Sequence, residues 1–184
     1  REGQVLTATD APTAQRLGQI LRAVRRQNPG FLAPGQGLAA TSRLEFPRHW
    51  GLGSSSTLLA TVAQWAGVDP YQLLADTFGG SGYDIACATA EGPIYYQRTS
   101  NGPQSSASNF APPFRQHLYW VYLEQKQNSR EGIARYRAMV EKKSPLIDKI
   151  SAWTRKIPTC DHLDEFAALL DAHEALVAQA LQLE

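Results

Sequence analysis

Two glycine-rich turns, each running directly into a helix-forming segment, constrain this chain more than any other feature. The first is "GLGSSSTLLATVAQW", residues 51–65, and the second is "GGSGYDIACATA", residues 79–90. Glycine at 51 and 53 lets the backbone curl where a Cβ would obstruct a ligand. The helix that follows begins with amides that lack intrahelical partners and carry positive partial charge. Consecutive N–H groups of this kind make a concave nest for phosphate oxygens, and the hydroxyls of Ser54, Ser55 and Ser56 add donors. One of those hydroxyls could also ligate a magnesium ion held by the phosphates. The turn is not a Walker A loop, because GxxxxGK[ST] is absent and no lysine follows. The bland alternative is a turn with a serine cap, and three hydroxyls exceed what a cap uses.

The second turn delivers a carboxylate. Gly79, Gly80 and Gly82 precede Asp84, and an acid presented on a tight turn can accept a proton from a substrate hydroxyl within hydrogen-bonding reach. Phosphoryl transfer asks little more of a protein than positioned groups, neutralised charge and one acid to orient the nucleophile. The commoner role for such an aspartate is to cap the short helical segment Ile85–Ala90. The two roles are compatible.

Around these turns the pattern predicts an α+β chain. Val5–Thr9 reads as a short strand, and Asp10 as the cap of a helix to about Gln27, with Leu17, Ile20, Leu21 and Val24 on one face. Residues 37–46 alternate between apolar and polar positions up to Pro47, which predicts a strand. A helix is expected over Ser55–Ala66 and another from Asp69–Pro70 to Thr77; "GPIYYQR" predicts a strand. Residues 99–113 are rich in Ser, Asn, Gly and Pro and read as a linker, which divides the chain into residues 1–98 and 114–184. Beyond it, "HLYWVYLEQK" has a continuous apolar centre, expected of a strand buried on both faces. Three helices should follow, opened by Ser129, by Ser144–Pro145 and by Asp161, the last with an apolar stripe from Phe166 to Leu181. Trp120, Trp153 and Tyr136 are expected in the core.

Charge and cysteine usage exclude several functions. Eighteen basic residues against 17 acidic ones leave a formal charge of +1, which provides no footprint for nucleic acid or an anionic membrane. Arg22, Arg25 and Arg26 therefore read as a solvated helix face. Cys87 and Cys160 form no ligand pattern, so a reduced, cytoplasmic chain is expected. His117, His162 and His173 lack metal-ligand spacing, and His49 reads as a surface loop residue. No apolar run approaches the ~20 residues of a membrane span. The chain starts at Arg1 and stops at Glu184 inside a helical pattern, so it is expected to be part of a longer protein.

The two motifs together resemble the GHMP kinase superfamily, which includes galactokinase, homoserine kinase, mevalonate kinase and phosphomevalonate kinase. "GLGSSST" after Pro47 is similar to that family's phosphate-binding motif. "GSGYDIACA" is similar to the motif carrying its catalytic aspartate, and most like a bacterial group marked by Gly-Tyr-Asp-Ile-Ala, here Gly82–Ala86. The separation of roughly thirty residues also fits. The resemblance implies a two-domain architecture, with a ribosomal-protein-S5-like N-terminal part and a ferredoxin-like C-terminal part, incomplete at both ends. It implies an ATP-dependent kinase acting on a small metabolite, with an acid of a mevalonate-like pathway as one candidate and with ATP and Mg2+ as cofactors. Gly51, Leu52, Gly53, Ser54, Ser55 and Ser56 would hold the phosphates, Ser55 would touch magnesium and Asp84 would be the base. Ser81, Gly82 and Tyr83 would face the acceptor, Tyr83 alternatively only packing under the turn, with Ser129 and Lys126 as weaker candidates and Lys126 read by default as a strand-end surface charge. Mevalonate kinases carry a magnesium-binding glutamate eleven residues before the base; Leu73 stands there, and Asp76 is the nearest acid. A decarboxylase of the diphosphomevalonate type and a non-catalytic nucleotide-binding protein are the alternatives on the same fold.

Overall fold

The computed structural model describes residues 4–33, 35, 38–124, 129–139 and 144–183. They form an α+β chain that divides into two compact units, residues 1–107 and 108–184. Among the described residues there are seven α-helices and a single two-stranded antiparallel sheet.

The first unit is built on helices whose ends are set by local chemistry. Helix α1, Ala11–Gln27, is capped by Asp10, whose carboxylate accepts from the Thr13 amide at 3.3 Å and its hydroxyl at 2.8 Å. Helix α2, Ser54–Ala66, ends at Gly67, where φ of 63° turns the chain into the left-handed region. Helix α3, Pro70–Ala75, is capped by Asp69, which accepts from the Tyr71 amide at 2.8 Å. Helix α4, Tyr83–Thr89, is the short segment after the second glycine turn. These four helices share one apolar core: Ile20, Ala23 and Val24 meet Leu59, Val62, Ala63 and Ala66, with Leu73, Leu74 and Ile85. Burying a side chain such as Leu59 stabilises by about 1.5–3 kcal/mol, so this core holds α2 and α4 in a fixed relation.

Strand β1, Ile94–Thr99, follows α4 and pairs with β2, Gly102–Ala107, in register from Ile94↔Ala107 to Thr99↔Gly102. Residues 102–107 belong to the stretch read as a linker. Their Ser- and Pro-rich composition hides a strand whose pairing comes from β1 and whose turn is closed by Gly102 at φ 106°.

The second unit contains α5, Ser129–Ala138; α6, Ser144–Lys156; and α7, Leu163–Leu181. Phe114, Cys160 and Phe166 make its small core, with Phe110, Ile157 and Leu169 packed against it. The Phe114 and Phe110 rings lie 5.2 Å and 5.9 Å from that of Phe166.

Three expected strands do not form among the described residues. Val5–Thr9, residues 38–46 and residues 118–123 carry no ladder and have no regular structure. Apolar alternation nominates a strand, but only a hydrogen-bonded neighbour satisfies its N–H and C=O groups. Accordingly Trp120 is fully exposed, and Tyr119, Val121 and Leu123 nearly so, where a doubly buried strand was expected. Tyr136 is also exposed rather than core, while Trp153 is half-buried under the Lys149 ammonium. Asp161 does not cap α7; His162 takes that place without a side-chain hydrogen bond. Among the described residues, no helix is long and apolar enough to cross a membrane.

Candidate functional site

The two glycine turns differ from the other helix starts of the first unit in one respect. Asp10 and Asp69 close the starts of α1 and α3 with their carboxylates, whereas α2 and α4 start at Gly53 and Gly82, which have no side chain to do so. At α2 the first backbone bond runs from the Thr57 amide to the Gly53 carbonyl at 3.0 Å. The amides of Ser54, Ser55 and Ser56 precede that bond and are the orphan donors of the helix start. Gly51 at φ 77° and Gly53 at φ 75° are both left-handed, and a Cβ built on Gly53 would meet no atom within 4 Å. The space on the Cβ side of Gly53 is therefore empty. Among the described residues, the hydroxyls of Ser54, Ser55 and Ser56 have no hydrogen-bond partner; Ser55 is exposed and its two neighbours half-buried. Leu52 extends into solvent beside them. This geometry fits a phosphate group: several convergent N–H donors, hydroxyls alongside and the positive end of a 13-residue helix.

The second turn is held tightly. Gly82 is buried at φ 90°, and an added Cβ would lie 2.9 Å from the Tyr96 hydroxyl and 3.1 Å from the Tyr71 ring. The Tyr96 hydroxyl donates to the Ser81 carbonyl at 2.5 Å, and Arg98 Nη1 donates to the Gly80 carbonyl at 3.2 Å. Asp84 occupies the first turn of α4, so it is not the cap; Gly82 holds that position. Its carboxylate is exposed, and its negative charge suits the helix start. Tyr83 is exposed beside it. Partial burial, then the Asp84 charge, pushes the Tyr83 hydroxyl above its ordinary value. Burial likewise raises Tyr71 and Tyr96, so all three phenols remain protonated donors at neutral pH.

The core brings α2 and α4 together, because Ile85 packs into the cluster that Leu59, Val62 and Ala63 supply. Ser81, Gly82, Tyr83 and Asp84 thus stand on one scaffold with the Gly51–Ser56 turn. Ser129 is the first residue of α5 in the second unit. Lys126 lies outside the described residues.

The magnesium question has a definite local answer. Leu73 is wholly buried in the core of the first unit, so that position offers no ligand. Asp76 is engaged elsewhere: it pairs with Arg26 at 3.3 Å and accepts from Gln72 at 2.9 Å, tying α3 to α1. Neither of these two positions is therefore free to supply a carboxylate to a cation at the first turn.

Tyr71, Tyr96 and Arg98 escaped the sequence reading. Spacing of two on a strand does place Tyr96 and Arg98 on one face, but nothing local says that this face meets a turn 15 residues earlier. A cavity of about 370 Å³ in the second unit, lined by Tyr136, Met139, Leu146, Lys149 and Leu176 among others, contains none of the glycine-turn residues.

The chain matches no family model, no curated protein and no solved structure.

Proposed function

We propose that this chain carries the phosphate-binding turn and catalytic base of an ATP-dependent small-molecule kinase of the GHMP type. The observation that carries the reading is the pair of helices entered from glycine without a side-chain cap on one core, one followed by three serine hydroxyls and the other by an exposed carboxylate. In this reading the Gly51–Ser56 turn holds the ATP phosphates, with Ser55 toward magnesium. Asp84 takes the proton from an acceptor hydroxyl as that oxygen bonds to the γ-phosphorus and the bond to ADP breaks. An acceptor that is already a phosphate needs no base, and there Asp84 would only orient it. Ser81, Gly82 and Tyr83 border the acceptor.

The test is ADP release by the full-length protein with MgATP and a panel of hydroxy acids and their phosphates, mevalonate and phosphomevalonate included. Asp84→Asn should retain MgATP binding by calorimetry and lose at least ~100-fold in turnover. Unchanged turnover in that variant would remove Asp84 as the base. Release of carbon dioxide with the product would place the enzyme among decarboxylases.

A second reading, a nucleotide-binding protein without turnover, is favoured by burial of Leu73 and the engagement of Asp76 with Arg26. It expects MgATP binding, loss of that binding on Ser55→Ala or Gly53→Val, and no effect of Asp84→Asn.

A further inference from the structure

We infer that Tyr96 is a positioning residue for Asp84, acting through the Ser81–Gly82 turn; the inference rests on the reading of Asp84 as the base. Asp84 sits in a helix of seven residues, too short to hold its own first turn rigidly. Its placement depends on what grips the chain just before it.

Strand β1 does this with one face. Tyr96 and Arg98, two residues apart, donate to the consecutive carbonyls of Ser81 and Gly80. The strand is itself anchored, since Tyr96 lies opposite Ser105 and Arg98 opposite Pro103 in the hairpin. Tyr71, from α3, closes on Gly82 beside the Tyr96 hydroxyl, and the contact is so close that only glycine fits between them. The Gly82 carbonyl then accepts from the amides of Ile85 and Ala86, at 3.1 Å and 3.2 Å, which closes the first helical turn across Asp84. A grip on Ser81 is thereby transmitted through one residue to the backbone that aims the carboxylate. Tyr96 touches no reacting group; it sets where the base points, and small misplacements of a base are costly in rate.

The experiment compares the full-length protein with Tyr96→Phe, which keeps the ring and removes the hydroxyl, and with Arg98→Gln, which removes the neighbouring bond. Amide hydrogen exchange over residues 80–86 reads the turn directly, without turnover. Expected for Tyr96→Phe are faster exchange there and a kcat about three- to tenfold lower, the worth of one hydrogen bond. KM for ATP should stay within about twofold, because the phosphate turn lies on α2. Arg98→Gln should move the same readouts in the same direction. Unchanged exchange in both variants overturns the grip. Faster exchange with unchanged kcat, where Asp84→Asn abolishes turnover, overturns the positioning role alone. Turnover that survives Asp84→Asn overturns the base assignment, and this role with it.

Discussion

Replacing Gly82 by alanine should cost far more than the same change at Gly53, and the structure says by how much. Both residues are left-handed, at φ 90° and 75°, so alanine at either pays about 1–2 kcal/mol for the backbone conformation alone. At Gly53 nothing lies within 4 Å of the new methyl group, and the cost ends there. At Gly82 the methyl group meets the Tyr96 hydroxyl at 2.9 Å and the Tyr71 ring at 3.1 Å and 3.2 Å. Relief requires breaking the Tyr96–Ser81 hydrogen bond, about 1 kcal/mol, or pushing Tyr71 off its rotamer, about 0.5–1.5 kcal/mol. The total is ~1.5–3.5 kcal/mol. For a chain of this size, each kcal/mol lowers Tm by about 2–4 °C, so Gly82→Ala should fall by roughly 3–14 °C and Gly53→Ala by roughly 2–8 °C. Scanning calorimetry on the two variants checks the ratio. Tyr96→Phe in the Gly82→Ala background removes the closest clashing atom, so the double variant should be less destabilised than the sum of the singles. Equal Tm losses at the two glycines, or strict additivity with Tyr96→Phe, would refute the steric account of the second turn.

The two thiols should react at very different rates. Cys87 is exposed, whereas Cys160 is buried and its thiol is pushed up by that burial and then by the nearby Glu165 charge. A thiol reagent should modify one cysteine quickly and the second only in denaturant; equal native rates would contradict the packing of Cys160 against Phe114 and Phe166. Asp10 is held below the usual carboxylate range by its bonds to Thr13. Its stabilising effect is therefore complete above the unfolded value, near 3.9, and is lost as pH falls through the lower folded value. The Tm gap between the native chain and Asp10→Ala should narrow on acidification, and a gap constant down to strongly acidic pH would rule out the charged cap.

Legibility in the sequence followed the range of the interaction. The Asp10 and Asp69 caps, the helices they open and the presence of glycine turns ahead of α2 and α4 depend on neighbours within four residues, and all were readable. The strand signals failed in both directions. Residues 38–46 and 118–123 had the apolar pattern and no partner among the described residues. Residues 102–107 had the composition of a linker and acquired a partner in β1. Leu73 shows the same divide at the candidate site. Its identity already excluded a carboxylate at that position, but only the packing of α1, α2 and α3 around it made the position core.

The starts at Ser54, Tyr83 and Leu163 came a residue or two away from where the pattern put them. By itself, then, the amino-acid sequence determined the Asp10 and Asp69 caps and which hydroxyls and carboxylate follow the glycines. These are consequences of backbone sterics and of donors left over at a helix end, and no distant residue alters them. Only the tertiary structure decided that α2 and α4 share a core, that Asp76 is spent on Arg26, and that Tyr96 reaches back 15 residues to grip Ser81. Those outcomes rest on contacts between segments far apart along the chain, whose closeness depends on how the whole unit packs.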